Sequence, residues 1–89
     1  MTQAEHRDLY DSLYFGHEVE LAFNGKKYYL ESCENGYDMY LMGANHGQLV
    51  AHFRASCRDE LLEKLFSTPI FDNKAINDAY NSLEIVAID

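Results

Sequence analysis

The chain has 89 residues, 47% of them apolar, and its 15 acidic and 7 basic side chains give a formal net charge of -8. This length supports one small domain and excludes a second, so we predict a single domain over residues 1–89. The negative charge opposes binding to nucleic-acid phosphates or anionic lipids; it favours a basic protein surface as the partner, or serves solubility alone.

The first predicted element is a helix over residues 3–15. Thr2 and Glu5 have the spacing of a capping box, in which each side chain accepts a backbone N–H at the start of a helix. Gly16 can end the helix in a left-handed conformation. Between these ends, apolar side chains recur at helical spacing at Leu9, Tyr10, Leu13 and Tyr14.

The clearest signal in the chain is a β-hairpin that turns at Asn24-Gly25. The residues on both sides alternate between apolar and polar, and Asn-Gly supplies the positive φ angles of a type I′ turn. A two-residue turn predicts three cross-strand pairs: Val19 with Leu30, Leu21 with Tyr28, and Phe23 with Lys26. The apolar members then share one face of the sheet, which we predict to be the core face.

Two further strands are predicted to extend this hairpin into an antiparallel meander. A second two-residue turn at Asn35-Gly36 would pair Leu30 with Leu41 and Ser32 with Met39. After a loop over residues 43–47, in which His46 is predicted to be an exposed turn residue, a fourth strand follows. Its inward positions are predicted to be Leu49, Ala51 and Phe53, which alternate with Val50, His52 and Arg54.

The C-terminal part of the chain predicts two helices and a final strand. Ser56 is the candidate N-cap of a helix that carries Leu61, Leu62, Leu65 and Phe66 and stops before Pro69. Asp72 is the candidate N-cap of a short helix with Ile76, Ala79 and Tyr80, and an apolar strand follows from Leu83 to Ile88. The predicted fold is therefore α+β, an antiparallel meander of about four strands with helices packed on its inner face.

The same alternation predicts which side chains point away from the core. They are Glu18, Glu20, Tyr29, Glu31, Asp38, Tyr40 and Met42. Exposed Tyr and Met are typical of surfaces that bind other proteins, so we interpret this face as a partner-binding surface. In the alternative, the C-terminal segment covers this face, or the tyrosines reflect β-propensity alone.

Metal and catalytic motifs are not apparent. The spacing of the histidines and of Cys33 and Cys57 matches neither Cys-x-x-Cys nor His-x-x-x-His, so we predict no metal, no cofactor and two free thiols. Cys57 beside Arg58, with His52 nearby in sequence, allows the hypothesis of a thiol enzyme. Without a phosphate-binding loop or a nucleophile elbow, we predict that the protein is not an enzyme, and without a leader or apolar span, that it is cytoplasmic.

Three segments carry a resemblance. They are residues 16–30 (GHEVELAFNGKKYYL), 59–62 (DELL) and 83–86 (LEIV). Together they resemble small uncharacterised acidic proteins of Gram-positive bacteria and their mobile elements. That resemblance brings no catalytic residue to this chain. In charge and size the chain is also similar to phage anti-CRISPR inhibitors and toxin-immunity proteins, which implies protein binding.

Three functional hypotheses follow. The first is an acidic binding module that inhibits a basic-surfaced protein, such as an enzyme that acts on nucleic acid. The second is a homodimer formed through Tyr29, Tyr40 and Met42 or through an open sheet edge. The third is a thiol enzyme that uses Cys57.

Overall fold

The structure is a computed structural model that describes residues 1–43 and 47–89; the predicted turn position His46 lies outside these ranges. Three helices and five strands are present among the described residues. The helices are α1 (Gln3–Tyr14), α2 (Arg58–Ser67) and α3 (Ile76–Ala79), the last followed by a 3₁₀ turn at Tyr80–Ser82. The strands are β1 (Val19–Phe23), β2 (Lys26–Cys33), β3 (Gly36–Met42), β4 (Gln48–Arg54) and β5 (Leu83–Ile88).

The five strands form one antiparallel sheet in the order β4-β3-β2-β1-β5. The first four form the predicted meander. The final strand joins the same sheet beside β1, so the sheet has one strand more than the meander alone. This confirms the α+β class, and it leaves β4 and β5 as the two edge strands.

Helix α1 begins at Gln3 as predicted and ends at Tyr14, one residue before the predicted end. The Glu5 N–H donates to the Thr2 hydroxyl at 3.1 Å, and the Thr2 N–H donates to the Glu5 carboxylate at 2.9 Å. At the other end Gly16 has a φ of +82°, and the His17 N–H reaches the Ser12 carbonyl at 3.0 Å. This bond across a left-handed residue is the Schellman closure, which satisfies carbonyls that the last helical turn leaves unpaired.

The first hairpin has the predicted register. Asn24 and Gly25 have φ angles of +53° and +79°, as a type I′ turn requires. The pairs Val19–Leu30, Leu21–Tyr28 and Phe23–Lys26 all form.

The second hairpin turns one residue earlier than predicted, which moves each pairing partner on β3 by two residues. Its turn is Glu34-Asn35, and Cys33 pairs with Gly36. Gly36 is a buried strand residue. The position requires glycine because a Cβ there would lie 1.7 Å from the carbonyl oxygen of Phe53. The predicted pairs Leu30–Leu41 and Ser32–Met39 are therefore wrong; the observed ones are Leu30–Met39 and Ser32–Tyr37. A shift by two residues keeps every side chain on its predicted face.

Strand β4 departs from strict alternation. Met39 pairs with Ala51, but the next residue of β3, Tyr40, pairs with Leu49, so Val50 is an extra residue in the ladder. Such a β-bulge reverses the parity of the residues that precede it. The prediction that Leu49 faces inward is therefore wrong, whereas Ala51 and Phe53 lie on the inner face as predicted.

Both predicted N-caps of the C-terminal helices are wrong. Cys57 is the N-cap of α2, and the Ser56 hydroxyl instead contacts the Glu60 carboxylate at 3.4 Å. Helix α3 begins after Ala75, because Asp72 lies in a left-handed turn with a φ of +52°. Helix α2 ends before Pro69 as predicted.

The core lies between the inner face of the sheet and the helices. Leu9 and Leu13 of α1 and the leucines of α2 pack with Leu21 and Leu30 of the sheet. Tyr37 is also fully buried on this face, and its hydroxyl contacts the carbonyl oxygens of Leu13 at 2.9 Å and His17 at 2.8 Å. The helices thus occupy one side of the sheet.

Candidate functional site

The candidate site is the side of the sheet turned away from the helices, which we call the outer face. The C-terminal segment does not cover it, because β5 lies at the sheet edge and Ile76 and Ala79 of α3 belong to the core. The cross-strand pairs, together with the contact of Glu18 with Tyr29, place all the predicted site residues on this face. They are Glu18, Glu20, Tyr29, Glu31, Asp38, Tyr40 and Met42.

A continuous row of paired residues crosses the middle of the outer face. We call it the tyrosine row, and from β5 to β4 it consists of Ala87, Glu20, Tyr29, Tyr40 and Leu49. Both tyrosines are partly buried among their neighbours. Because cross-strand neighbours are about 5 Å apart, the row places two tyrosine side chains next to each other at the centre of the sheet.

Acidic side chains border the tyrosine row on one side. Glu31 of β2 lies directly opposite Asp38 of β3, and Asp38 lies opposite His52 of β4. Two carboxylates in facing positions repel one another, so this pair costs stability. Arg54 offsets part of that cost, since its guanidinium lies 3.0 Å from the Asp38 carboxylate. Glu31 has no ion pair among residues 1–43 and 47–89.

Tyr29 binds the remaining acidic group, Glu18. Its hydroxyl donates to a carboxylate oxygen of Glu18 at 2.5 Å. This bond, with smaller contributions from partial burial and from the nearby Glu18, Asp89 and Glu31 charges, raises the pKa of Tyr29 to about 12. The bond fixes the Glu18 carboxylate beside the ring, so this charge is held in position on the outer face.

Tyr40 has a related environment. Partial burial raises the pKa of Tyr40, and the Glu31 and Asp38 carboxylates raise it further. The phenol therefore stays neutral at physiological pH and offers an O–H donor and an aromatic surface next to two carboxylates.

On the other side of the tyrosine row the outer face is less acidic. There Lys27 of β2 lies between Ala22 of β1 and Met42 of β3. Among the described residues, Lys27 and Arg54 are the lysine and arginine residues that occupy paired positions on the outer face.

The sequence reasoning missed Leu49. Its side chain is 52% exposed and lies opposite Tyr40. The sequence pattern of β4 does not reveal that Leu49 lies on the outer face, because residues 49, 50 and 51 are all apolar and the bulge falls among them. Gly47 also contributes, since a Cβ there would lie 3.1 Å from Cβ of Tyr40 and 3.2 Å from Sδ of Met42.

The thiols do not form a site with the histidine suggested by sequence. Cys57 is exposed at the start of α2 and lines a small hollow with Asn35, Ser56 and Arg58. His52 lies on the outer face opposite Asp38 and borders different hollows. Cys33 is partly buried, and this burial raises the pKa of its thiol. Both cysteines are free.

Within residues 1–43 and 47–89, no three His, Cys, Asp or Glu side chains converge as a metal site would require. None of the helices in these ranges has the length and apolar character needed to cross a membrane.

Comparisons with known proteins add no functional assignment. No protein-family model, curated protein or solved structure matches the chain.

Proposed function

We propose that the protein is a small acidic binding module that docks its outer face onto a basic surface of another protein and thereby blocks that surface. The observation that carries this proposal is the outer face, which no described helix covers and on which four carboxylates lie around two adjacent tyrosines. Glu31 opposite Asp38 disfavours folding, so binding is a better reason than stability for this choice of residues.

The charge of the whole chain supports the same class of partner. A net charge of -8 on 89 residues repels nucleic acid and attracts cationic protein surfaces at long range. Grooves that hold nucleic acid are rich in lysine and arginine, so an enzyme that acts on nucleic acid is the partner we propose. Inhibitors of the anti-CRISPR type and toxin-immunity proteins are the two concrete versions. In both versions the proposed protein acts by binding, without catalysis, in the cytoplasm.

The proposed mechanism is exclusion by charge and bulk. Carboxylates on the outer face accept hydrogen bonds from lysine and arginine side chains that otherwise bind phosphate. Tyr29 and Tyr40 supply contact area with little loss of side-chain entropy, because each side chain has only two rotatable angles.

The test compares two variants with the same total charge. Glu20→Lys with Glu31→Lys reverses two charges on the outer face, and Asp8→Lys with Glu63→Lys reverses two exposed charges on the helices. Each protein is tagged and used to capture partners from the native host lysate at low and high salt. We expect the wild type and the helix variant to capture a basic protein that high salt releases, and the outer-face variant to lose it. Equal capture by both variants would contradict the proposal.

A further inference from the structure

We infer that the outer face recognises a partner segment in which one apolar side chain is flanked by lysine or arginine. The apolar side chain is received by three residues that we call the apolar corner: Tyr40, Met42 and Leu49. The inference rests on the proposed function, and it adds the chemistry of the partner segment and the place where that segment is held.

The apolar corner is a connected, solvent-facing group. Leu49 is 52% exposed and Met42 is 39% exposed, and Leu49 is paired with Tyr40. Gly47 lies beside the corner, because a Cβ there would be 3.1 Å from Cβ of Tyr40 and 3.2 Å from Sδ of Met42. The bulge at Val50 is what brings Leu49 to this face. A cluster of exposed apolar side chains is unfavourable in a free protein and is typical of a contact surface.

Negative charge borders the apolar corner on one side. Glu31 and Asp38 lie in the row next to Tyr40, close enough for both carboxylates to influence its hydroxyl. An apolar side chain seated in the corner therefore places the residues on one side of its own segment over these carboxylates, away from Lys27, which lies opposite Met42. Cationic neighbours complement them, whereas acidic neighbours would be repelled.

A second copy of the chain fits this face poorly. A two-fold dimer through the outer face would bring the same surface of both copies together. Glu20, Glu31 and Asp38 of one copy would then meet the acidic face of the other, and each copy carries a net charge of -8. Charge complementarity thus favours a basic partner segment over self-association.

The edge strands also make self-association by strand pairing unfavourable. Both edges of the sheet carry a β-bulge, at Val50 in β4 and at Val86 in β5. A bulge on an edge strand interrupts the regular row of backbone groups that another strand would need.

Two synthetic peptides test the inference. Each peptide has seven residues, and three alternating lysine and arginine residues stand on either side of the central one. The central residue is leucine in one peptide and serine in the other. They are titrated into the ¹⁵N-labelled wild type, into Leu49→Ser, and into the control Phe15→Ser, which removes a 76% exposed apolar side chain beside α1. Backbone amide shifts report where each peptide binds, and the titration curves give the affinities.

We expect both peptides to shift the amides of Glu20 and Glu31, and only the leucine peptide to shift those of Met42 and Leu49. Partial burial of one leucine corresponds to about a tenfold higher affinity for the leucine peptide. Leu49→Ser should reduce this ratio to near one, and Phe15→Ser should leave it unchanged.

Three results would overturn the inference, and they are distinguishable. The two peptides could bind with equal, salt-sensitive affinities that Leu49→Ser does not change. This result would show that the apolar corner does not bind the segment, but it would be consistent with the proposed function. No shift at Glu20 and Glu31 with either peptide would contradict the proposed function as well. A dimer in sedimentation velocity that Leu49→Ser dissociates would assign the corner to a second copy.

Discussion

The two faces of β2 and β3 use the same kinds of residue for different purposes. Tyr37 on the inner face is fully buried, and its hydroxyl contacts two backbone carbonyls that end α1. Tyr29 on the outer face is partly exposed, and its hydroxyl holds the carboxylate of Glu18. The pKa of both phenols is raised to about 12, mainly by burial for Tyr37 and by the hydrogen bond to Glu18 for Tyr29. One tyrosine connects a helix to the sheet, and the other organises a charged surface.

The largest expected difference between the faces concerns two neighbouring residues of β2. Leu30→Ala removes a fully buried side chain from the core and should lower the free energy of unfolding by about 3 kcal/mol. Glu31→Gln removes one of two facing carboxylates and should change it by less than about 0.5 kcal/mol, in the stabilising direction. Urea denaturation of both variants measures the difference. Comparable destabilisation by the two would contradict the division of the sheet into a core face and a functional face.

A smaller difference is expected between the two tyrosines. Tyr37→Phe removes a buried hydroxyl that contacts the carbonyl oxygens of Leu13 and His17, and it should cost about 1–2 kcal/mol. Tyr29→Phe breaks a bond at a surface where water replaces it, so the loss should be less than half as large. Thermal unfolding of the two variants, each with the same loss of one hydroxyl, gives the comparison. A greater loss in Tyr29→Phe would show that the outer face also carries stability.

The smallest expected effect is a dependence on alkaline pH. Unfolded tyrosine ionises near pH 10, whereas Tyr29 and Tyr37 keep their protons to about pH 12 in the folded protein. The folded state therefore binds more protons between these values, so the free energy of unfolding is highest below pH 10 and falls as the pH rises towards 12. Urea denaturation at pH 9 and pH 11 should show this fall, and Tyr29→Phe should reduce it. An unchanged fall in Tyr29→Phe would contradict the bond between Tyr29 and Glu18.

The faces of the sheet could be predicted from sequence better than the register. At Asn24-Gly25 the turn alone calls for glycine, since a Cβ on Gly25 would meet no described atom within 4 Å, and the register of this hairpin is as predicted. The sequence predicts Gly36 as a turn residue, although the close approach of the Phe53 backbone is what requires glycine there. That error moved the register by two residues and left the faces unchanged, because side chains alternate with a period of two.

The apolar corner could not be predicted, for a physical reason. A bulge adds one residue to a strand and reverses the parity of what precedes it, and in β4 three consecutive apolar residues conceal where this happens. The predicted N-caps of α2 and α3 are wrong because the loops, and not the capping residues, set where these helices begin. Ser56 and Asp72 are suitable capping residues, yet the loops before α2 and α3 place Cys57 and Ala75 at the cap positions.

The central claim is that the outer face is selected for binding and not for folding. The most direct test measures stability and binding on one protein, the Glu20→Lys, Glu31→Lys variant. We predict an unfolding midpoint within a few degrees of the wild type together with loss of salt-sensitive binding to the leucine-centred basic peptide. A folded variant that keeps this binding, or one that loses its stability along with it, would contradict the account.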